Sequence, residues 1–325
     1  MQFITTILQP LEWLIAQLLI LGHTLLVVLG MPDGPGLAWC LSIMGLVLVI
    51  RLCLLPLFMR QMTSMRRVQA IQPQLQRIQR KYASRKDPRS QEAMQRETME
   101  LYRKEGANPM GSCLPALVQM PVLCSLFYTL QRLPMIANGS STAVGGLDRV
   151  VAGDIESSRF LGVRVADTFM TAGGTGERIV IGAIVAVMCV TLLVMQWLLT
   201  HRNTSREVLA SPQFRMQRMT VFVFPLLYVF SGFTLPFGVL IYWVTNNLWN
   251  LGQTLVQLHW FPAPGSIAGE RKELRDRDRE NRRRAAAGLP SLEEQAAEEL
   301  RRAATARRSR ESRRGRRRRV PGDLD

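Results

Sequence analysis

The feature that most constrains this chain is an apolar run, residues 36–60, with one charged side chain in its interior, Arg51. As a helix, the run is long enough to cross a hydrocarbon layer of about 30 Å. Arg51 lies nine residues before the basic end of the run at Arg60, or roughly 13 Å along a straight helix. Because arginine does not lose its proton in proteins, Arg51 needs either an acidic partner or water.

An acidic partner from another membrane segment is excluded by the sequence. The other long apolar runs, residues 112–131, 179–200 and 219–258, contain no Asp or Glu. We therefore expect a water-containing cavity among the helices, open toward the basic side. The alternative is that the Arg51 side chain extends along its helix to the lipid headgroups. We favour the cavity because charged residues inside membrane segments are usually functional.

The charges of the chain are segregated between the apolar runs, which indicates an integral membrane protein. The net charge is +16, and residues 60–106 carry twelve basic and five acidic side chains. Residues 201–219 and 261–325 are also basic, whereas residues 132–177 carry four basic and five acidic side chains. By the positive-inside rule, the three basic segments are cytoplasmic and residues 132–178 lie outside.

The hydropathy pattern predicts an all-α membrane protein with a five-helix core. The predicted spans are residues 36–60, 109–131, 179–200, 219–235 and 236–260. The last two are divided at Ser231-Gly232 and Pro236, because residues 219–258 are too long for one crossing. Loops follow at residues 132–178, expected to be mostly irregular, and 201–218.

The N-terminal segment, residues 1–35, leaves two interpretations open. It has no Lys or Arg, so it is not a cleaved signal peptide. Its polar residues Gln9, Glu12, Gln17, His23 and Thr24 share one side of a helical wheel. The segment is either an amphipathic helix in the outer interface or a sixth span.

Residues 61–108 predict a cytoplasmic helical hairpin. One apolar stripe with spacings of three and four follows a basic helix: Met62, Met65, Val68, Ile71, Leu75, Ile78 and Tyr82. The chain breaks at Lys86-Asp-Pro88, and a second helix runs from about Ser90 to Lys104. The hairpin is either a partner-binding element or a solvated spacer.

The C-terminal segment, residues 261–325, is rich in Arg, Glu and Ala, and we expect it to be largely disordered, with a fluctuating helix over residues 293–308. Six arginines between Arg313 and Arg319 predict binding to phosphates, either of RNA or of anionic lipid.

Catalytic constellations are missing from the sequence. It has no HExxH, no GxSxG, no pair of acidic residues in a span and no histidine deep in one. The five cysteines all lie in apolar runs without a CxxC pair, which indicates small buried hydrophobic residues rather than metal ligands. We expect no enzyme activity, no cofactor, no metal and no small-molecule substrate. Without acidic residues in the spans, ion-coupled transport also lacks its usual groups.

Four stretches in the right order resemble the YidC/Oxa/Alb family of membrane protein insertases, in the short, actinobacterial form of its bacterial YidC branch. They are Arg51-Leu-Cys-Leu-Leu-Pro56, Tyr102-Arg-Lys-Glu-Gly106, Cys113-Leu-Pro115 with Gln119-Met-Pro121, and Tyr242-Trp243 with Asn246-Asn247 and Gln253.

The resemblance implies five core helices, an outer amphipathic helix, a cytoplasmic hairpin and a hydrophilic groove that holds Arg51. By position, five further residues match places that line or border that groove: Gln119, Gln196, Tyr242, Trp243 and Asn246. One departure is Val47, where a threonine is common, so we expect a less polar groove here.

The function that this implies is insertion of nascent membrane proteins into the bilayer of the bacterial cell, alone or with the Sec translocon. The hairpin and the tail, with the C-terminus in the cytoplasm, would bind the ribosome. Two other classes remain open: a passive scaffold that docks ribosomes or lipid, and an anion channel in which Arg51 sets the selectivity.

Overall fold

The computed structural model describes residues 2–85, 87–108, 114–205, 209 and 225–318. The chain divides into two compact units, Met1–Gly269 and Glu270–Asp325. In chain order the first unit begins with these helices: α1 Gln2–Val28, α2 Leu37–Cys53, α3 Leu55–Ala70, α4 Gln72–Tyr82, α5 Pro88–Lys104, α6 Leu114–Ala137 and α7 Arg149–Ser157. It continues with β1 Arg159–Phe160, β2 Val163–Arg164, α8 Thr175–Asn203, α9 Pro225–Thr234 and α10 Phe237–Trp260. Last come α11 Ile267–Ala286, which begins in the first unit, and α12 Leu292–Arg318.

The predicted all-α membrane class is confirmed. Two helices of the described chain are long and apolar enough to cross a membrane, α8 and the Leu8–Val28 part of α1. The pair α2 and α3 makes a third if it is counted as one broken span. Helix α10 is long enough but not apolar enough to be counted, because it carries many polar residues. Several of them are buried against other helices.

The helix predicted over residues 36–60 is broken, which differs from the sequence expectation. Helices α2 and α3 meet at Leu54 with a bend of 54°. Pro56, in the first turn of α3, causes the break, because proline has no N–H to donate and its ring clashes with the carbonyl four residues earlier. The chain after the bend therefore leaves the direction of α2.

The bundle core is formed by α1, α2, α6, α8 and α10 around apolar side chains that are almost fully buried. They include Leu19, Ile43, Leu126, Met188 and Leu240. Helix α9 approaches α8 closely at Gly232, where a Cβ atom would lie 2.3 Å from Val185 Cγ2. The turn between α9 and α10 lies at Leu235 and Pro236, in the stretch where the sequence divides the two helices.

The hairpin predicted over residues 61–108 consists of α4 and α5, with α3 leading into it. Ile71 and Leu75 are buried against Leu101 and Tyr102, so the predicted apolar stripe packs on the second helix. Asp87 caps α5 by accepting a hydrogen bond from the Ser90 N–H at 2.9 Å. Hydrogen bonding from the Ser90 side chain, and then from this N–H, lowers the pKa of the Asp87 carboxyl group. The stripe is divided between two helices, because α3 ends at Ala70 and α4 starts at Gln72.

Two segments are more ordered than the sequence predicts. The predicted outer loop, residues 132–178, contains α7 and the β1–β2 hairpin, and Leu147, Ile155 and Val163 are fully buried. Its backbone also binds the start of α10, through hydrogen bonds from Phe237 N–H to the Asp167 carbonyl and from Gly238 N–H to the Val165 carbonyl. In the tail, α11 and α12 form because alanine, arginine and glutamate favour helix.

Candidate functional site

Arg51 lies in the last turn of α2, one turn before the bend at Leu54. At this position its positive charge is next to the negative end of the helix dipole. The bend also shortens the distance to the basic end of the run. Three residues of α2 and six along the inclined α3 give a depth of roughly 10 Å rather than 13 Å.

The partner of Arg51 is a neutral amide. Its guanidinium donates from Nε to Asn246 Oδ1 at 3.0 Å, and Nη2 donates to the same oxygen. No carboxylate among the described residues forms an ion pair with Arg51. The acidic residue of α1, Glu12, is paired with Arg132 at 3.2 Å instead. The Arg51 charge is therefore hydrogen-bonded but not neutralised.

A second contact joins α6 to α10 beside this pair. Gln119 Nε2 lies 3.3 Å from the Tyr242 hydroxyl oxygen and donates to it. Tyr242 is one helical turn before Asn246 on α10, so both contacts lie on the same face of that helix. Arg51, Gln119, Tyr242 and Asn246, four of the six predicted site residues, are thus brought together by α2, α6 and α10.

A cavity of about 200 Å³ opens next to Arg51. Its polar lining consists of Arg51, Gln61, Gln119, Asn250 and Gln253. Its apolar lining is Leu54, Leu57, Phe58 and Val118. The space is large enough for several water molecules, and its amides offer both donors and acceptors. The water that the absence of a counter-ion predicts beside Arg51 stays a prediction, for which this cavity has room.

The other two predicted site residues lie apart from this group. The Trp243 ring packs against Tyr228 of α9, with ring centroids 5.5 Å apart. Tyr228 in turn donates its hydroxyl to Asn247 Oδ1 at 3.3 Å. Gln196, on α8, is not among the residues that line the cavity in the described part of the chain.

Three polar residues of the cavity were not assigned to the site from the sequence: Gln61, Asn250 and Gln253. The spacing of four, four and three residues in Tyr242, Asn246, Asn250 and Gln253 could have identified the last two, because it places all four on one face of α10. Gln61 had no such signal. It reaches the cavity only because the bend at Leu54 redirects α3.

A larger cavity, of about 450 Å³, lies at the other end of the bundle, between α6, the outer loop and the turn before α10. Arg132 and Glu156 are its charged lining residues, and Arg132 is already held by Glu12 and by Ser141. Among the described residues, Arg51 is the charged side chain inside the bundle that has no opposite charge, so the cavity beside it is our candidate site. In the described residues, no group of His, Cys, Asp and Glu side chains could hold a metal ion.

Comparison with known proteins identifies the family. The model of the family described as "60Kd inner membrane protein" matches residues 32–263, a region that includes α2 to α10 and the whole Arg51 site. The chain belongs to this family. The insertase family that the sequence resembles is thereby confirmed.

Curated members of the 60Kd inner membrane protein family are close in sequence and in length. A protein of Bifidobacterium longum named "Membrane protein insertase YidC" is 46% identical over 90% of this chain and 88% of its own. The protein of the same name from Tropheryma whipplei is 36% identical over 84% of this chain and 90% of its own. That of Oceanobacillus iheyensis is 33% identical over 69% and 74%.

Proposed function

We propose that this chain is a membrane protein insertase and not an enzyme. The observation that carries the proposal is Arg51, a charge inside the helical bundle that a neutral amide orients and that borders a polar cavity. The names of the relatives support the same activity. The proposed clients are nascent membrane proteins, whose polar flank enters the cavity while the apolar segment passes into lipid.

Arg51 attracts an acidic flank but does not drive insertion. A carboxylate at about 4 Å from the guanidinium gains roughly 4 kcal/mol at an effective dielectric constant of 20, and about 1 kcal/mol in water. The driving force is transfer of the client's apolar segment to lipid, worth about 25 cal/mol per Å². Because nothing is hydrolysed, the role of the cavity is to lower the barrier for the polar flank by replacing part of its water.

We propose that α1 lies along the outer interface instead of forming a sixth span. Gly22 packs on Ser42, and Glu12 binds Arg132. Ser42 and Arg132 lie at a similar level along the bundle, and Gly238 links them. It packs next to Ile43, the residue after Ser42, and it lines the same cavity as Arg132. Gly22 and Glu12, however, are about 15 Å apart along α1. Since both contacts lie at the same level along the bundle, α1 runs across the bundle axis rather than parallel to it.

The basic segments support a location in the bacterial cell membrane, with the hairpin and the C-terminus in the cytoplasm. In this orientation the hairpin and the tail face the ribosome and the anionic headgroups of the inner leaflet. We propose the ribosome and the Sec translocon as further partners. The evidence for the ribosome is positive charge alone, which binds RNA and lipid phosphates equally well.

The test is insertion of a small single-span substrate with an acidic flank into liposomes that contain only this protein. We expect Arg51→Ala to lose most activity and Arg51→Lys to keep more of it, since the charge matters more than the guanidinium shape. A truncation after Gly269 should keep insertion, because it retains the first compact unit. Full activity of Arg51→Ala on every substrate would refute the role of Arg51.

The same samples separate the two other classes. A passive scaffold predicts that truncation abolishes activity and that Arg51→Ala has no effect. An anion channel predicts an ion flux through the liposomes without substrate, which Arg51→Ala reduces.

A further inference from the structure

The cavity continues past Arg51 along one face of α10. Asn250 is one turn beyond Asn246, and Gln253 is about one turn further. They extend roughly 6 Å and 10 Å from Asn246 toward the C-terminal end of the helix. A client that enters from the basic side therefore meets these two side chains before it reaches Arg51.

The opposite wall of this part of the cavity is α3. On a straight helix Gln61 would lie roughly 15 Å beyond Arg51. The 54° bend turns α3 so that Gln61 lines the same cavity as Asn250 and Gln253. Leu57 and Phe58 form the apolar surface beside it. The bend thus places Gln61 of α3 across the cavity from Asn250 and Gln253 of α10, which a continuous helix would not do.

The part of the cavity beyond Arg51, toward the basic side, differs in chemistry from Arg51 itself. Gln61, Asn250 and Gln253 are all neutral amides, and each offers N–H donors and a carbonyl acceptor. Within the described part of the chain, the Gln61 amide hydrogen-bonds to the Met65 sulfur at 3.8 Å, and the Gln253 amide has no hydrogen bond. The N–H and carbonyl groups of these amides can bind a peptide backbone or an uncharged polar side chain, and they do not distinguish the sign of a charge.

We propose that Gln61, Asn250 and Gln253 form a second, charge-neutral subsite that binds the uncharged polar flanks of client proteins. The inference rests on the proposed insertase function and adds a second substrate class to it. Clients with acidic flanks depend on Arg51, whereas clients with neutral flanks of Asn, Gln, Ser or Thr depend on the amides.

The experiment uses the full-length protein in liposomes and two substrates that differ only in the flank, either acidic or rich in Asn and Ser. The double variant Asn250→Leu with Gln253→Leu keeps the side-chain size and removes two hydrogen-bonding groups. We expect insertion of the neutral-flank substrate to fall about tenfold, because the variant loses two groups that hydrogen-bond to the client. Insertion of the acidic-flank substrate should fall less than about threefold, since Arg51 is retained.

Two controls make the comparison specific. Gln131→Leu makes the same chemical change on α6, at the other cavity and away from Arg51, and should leave both substrates unaffected. Exchanging the two amides, as Asn250→Gln with Gln253→Asn, should keep insertion of the neutral-flank substrate. Arg51→Ala should show the opposite preference, with the acidic-flank substrate losing more.

The retained activity on the acidic flank also shows that the double variant is folded. Equal loss on both substrates, or no loss on either, would overturn the subsite while wild-type insertion still supported the proposed function. Failure of the wild-type protein to insert either substrate would overturn both.

Discussion

A carboxylate placed next to Arg51 should block insertion of substrates with an acidic flank, while every other side chain of the site is kept. Asn246→Asp is nearly isosteric and puts a charged oxygen where the amide oxygen now lies, 3.0 Å from Arg51 Nε. At this distance the attraction is about 5.5 kcal/mol at an effective dielectric constant of 20, and about 1.4 kcal/mol in water. A client carboxylate at about 4 Å gains less, roughly 4 kcal/mol at the same dielectric constant, and it also loses freedom on binding.

The built-in carboxylate should therefore outcompete the client. We expect insertion of an acidic-flank substrate to fall at least tenfold, which corresponds to about 1.4 kcal/mol, and to approach the level of Arg51→Ala. A neutral-flank substrate should insert within about threefold of the wild-type rate, because Asn246→Asp leaves the amides of Gln61, Asn250 and Gln253 in place. The assay is protease protection of the inserted substrate in liposomes.

The matched control is Asn246→Leu, which removes the hydrogen bonds to Arg51 and adds no charge. Its effect on the acidic-flank substrate should be within about threefold, since the Arg51 charge stays available. If Asn246→Asp inserted the acidic-flank substrate at the wild-type rate, attraction by an uncompensated Arg51 charge would not be the basis of capture.

Three further predictions concern stability. Gly232→Ala should lower the free energy of unfolding in detergent by about 1–3 kcal/mol, because a Cβ there would lie 2.3 Å from Val185 Cγ2. Gly182→Ala, where a Cβ would have no atom within 4 Å, should leave it unchanged. Glu12→Gln should weaken the docking of α1 by about 2 kcal/mol, seen as faster amide exchange in α1, because the pair is buried on the glutamate side. The hydrogen bond from Lys81 lowers the pKa of Glu97 from its ordinary value of 4.5, so this contact stabilises the hairpin above pH 4.5 and is lost as the pH falls through the lowered pKa. Amide exchange in the hairpin should then rise as the pH falls. Glu97→Gln should remove this pH dependence.

Most of the helices could be predicted from the sequence because apolar period and charge segregation are local signals. The apolar stripe of the hairpin and the turn at Pro236 are examples. The outer loop was predicted less well, because its buried residues Leu147, Ile155 and Val163 are isolated in sequence and form a core only when α7 packs on α6. In the tail, composition argued for disorder, and the competing local helix propensity was underestimated.

The site itself was only partly predictable, for a similar reason. Arg51, Gln119, Tyr242 and Asn246 lie on helix faces that the sequence pattern indicates, and the structure brings them together. Trp243, one residue from Tyr242, points to α9 instead, since successive residues of a helix differ by about 100° in direction. Which of two neighbouring faces meets α2 is decided by packing, and no local pattern contains that information.

The break after Arg51 explains how a chain without an acidic partner in its membrane segments holds an arginine among them. It ends α2 one turn after Arg51, so the negative end of the helix dipole lies beside the guanidinium. It reduces the depth of the charge to roughly 10 Å and turns α3 so that Gln61 lines the cavity. Asn246 then supplies an oxygen that orients the charge without cancelling it. Together these features stabilise Arg51 inside the bundle, and in the proposed function they leave its positive charge available to a client.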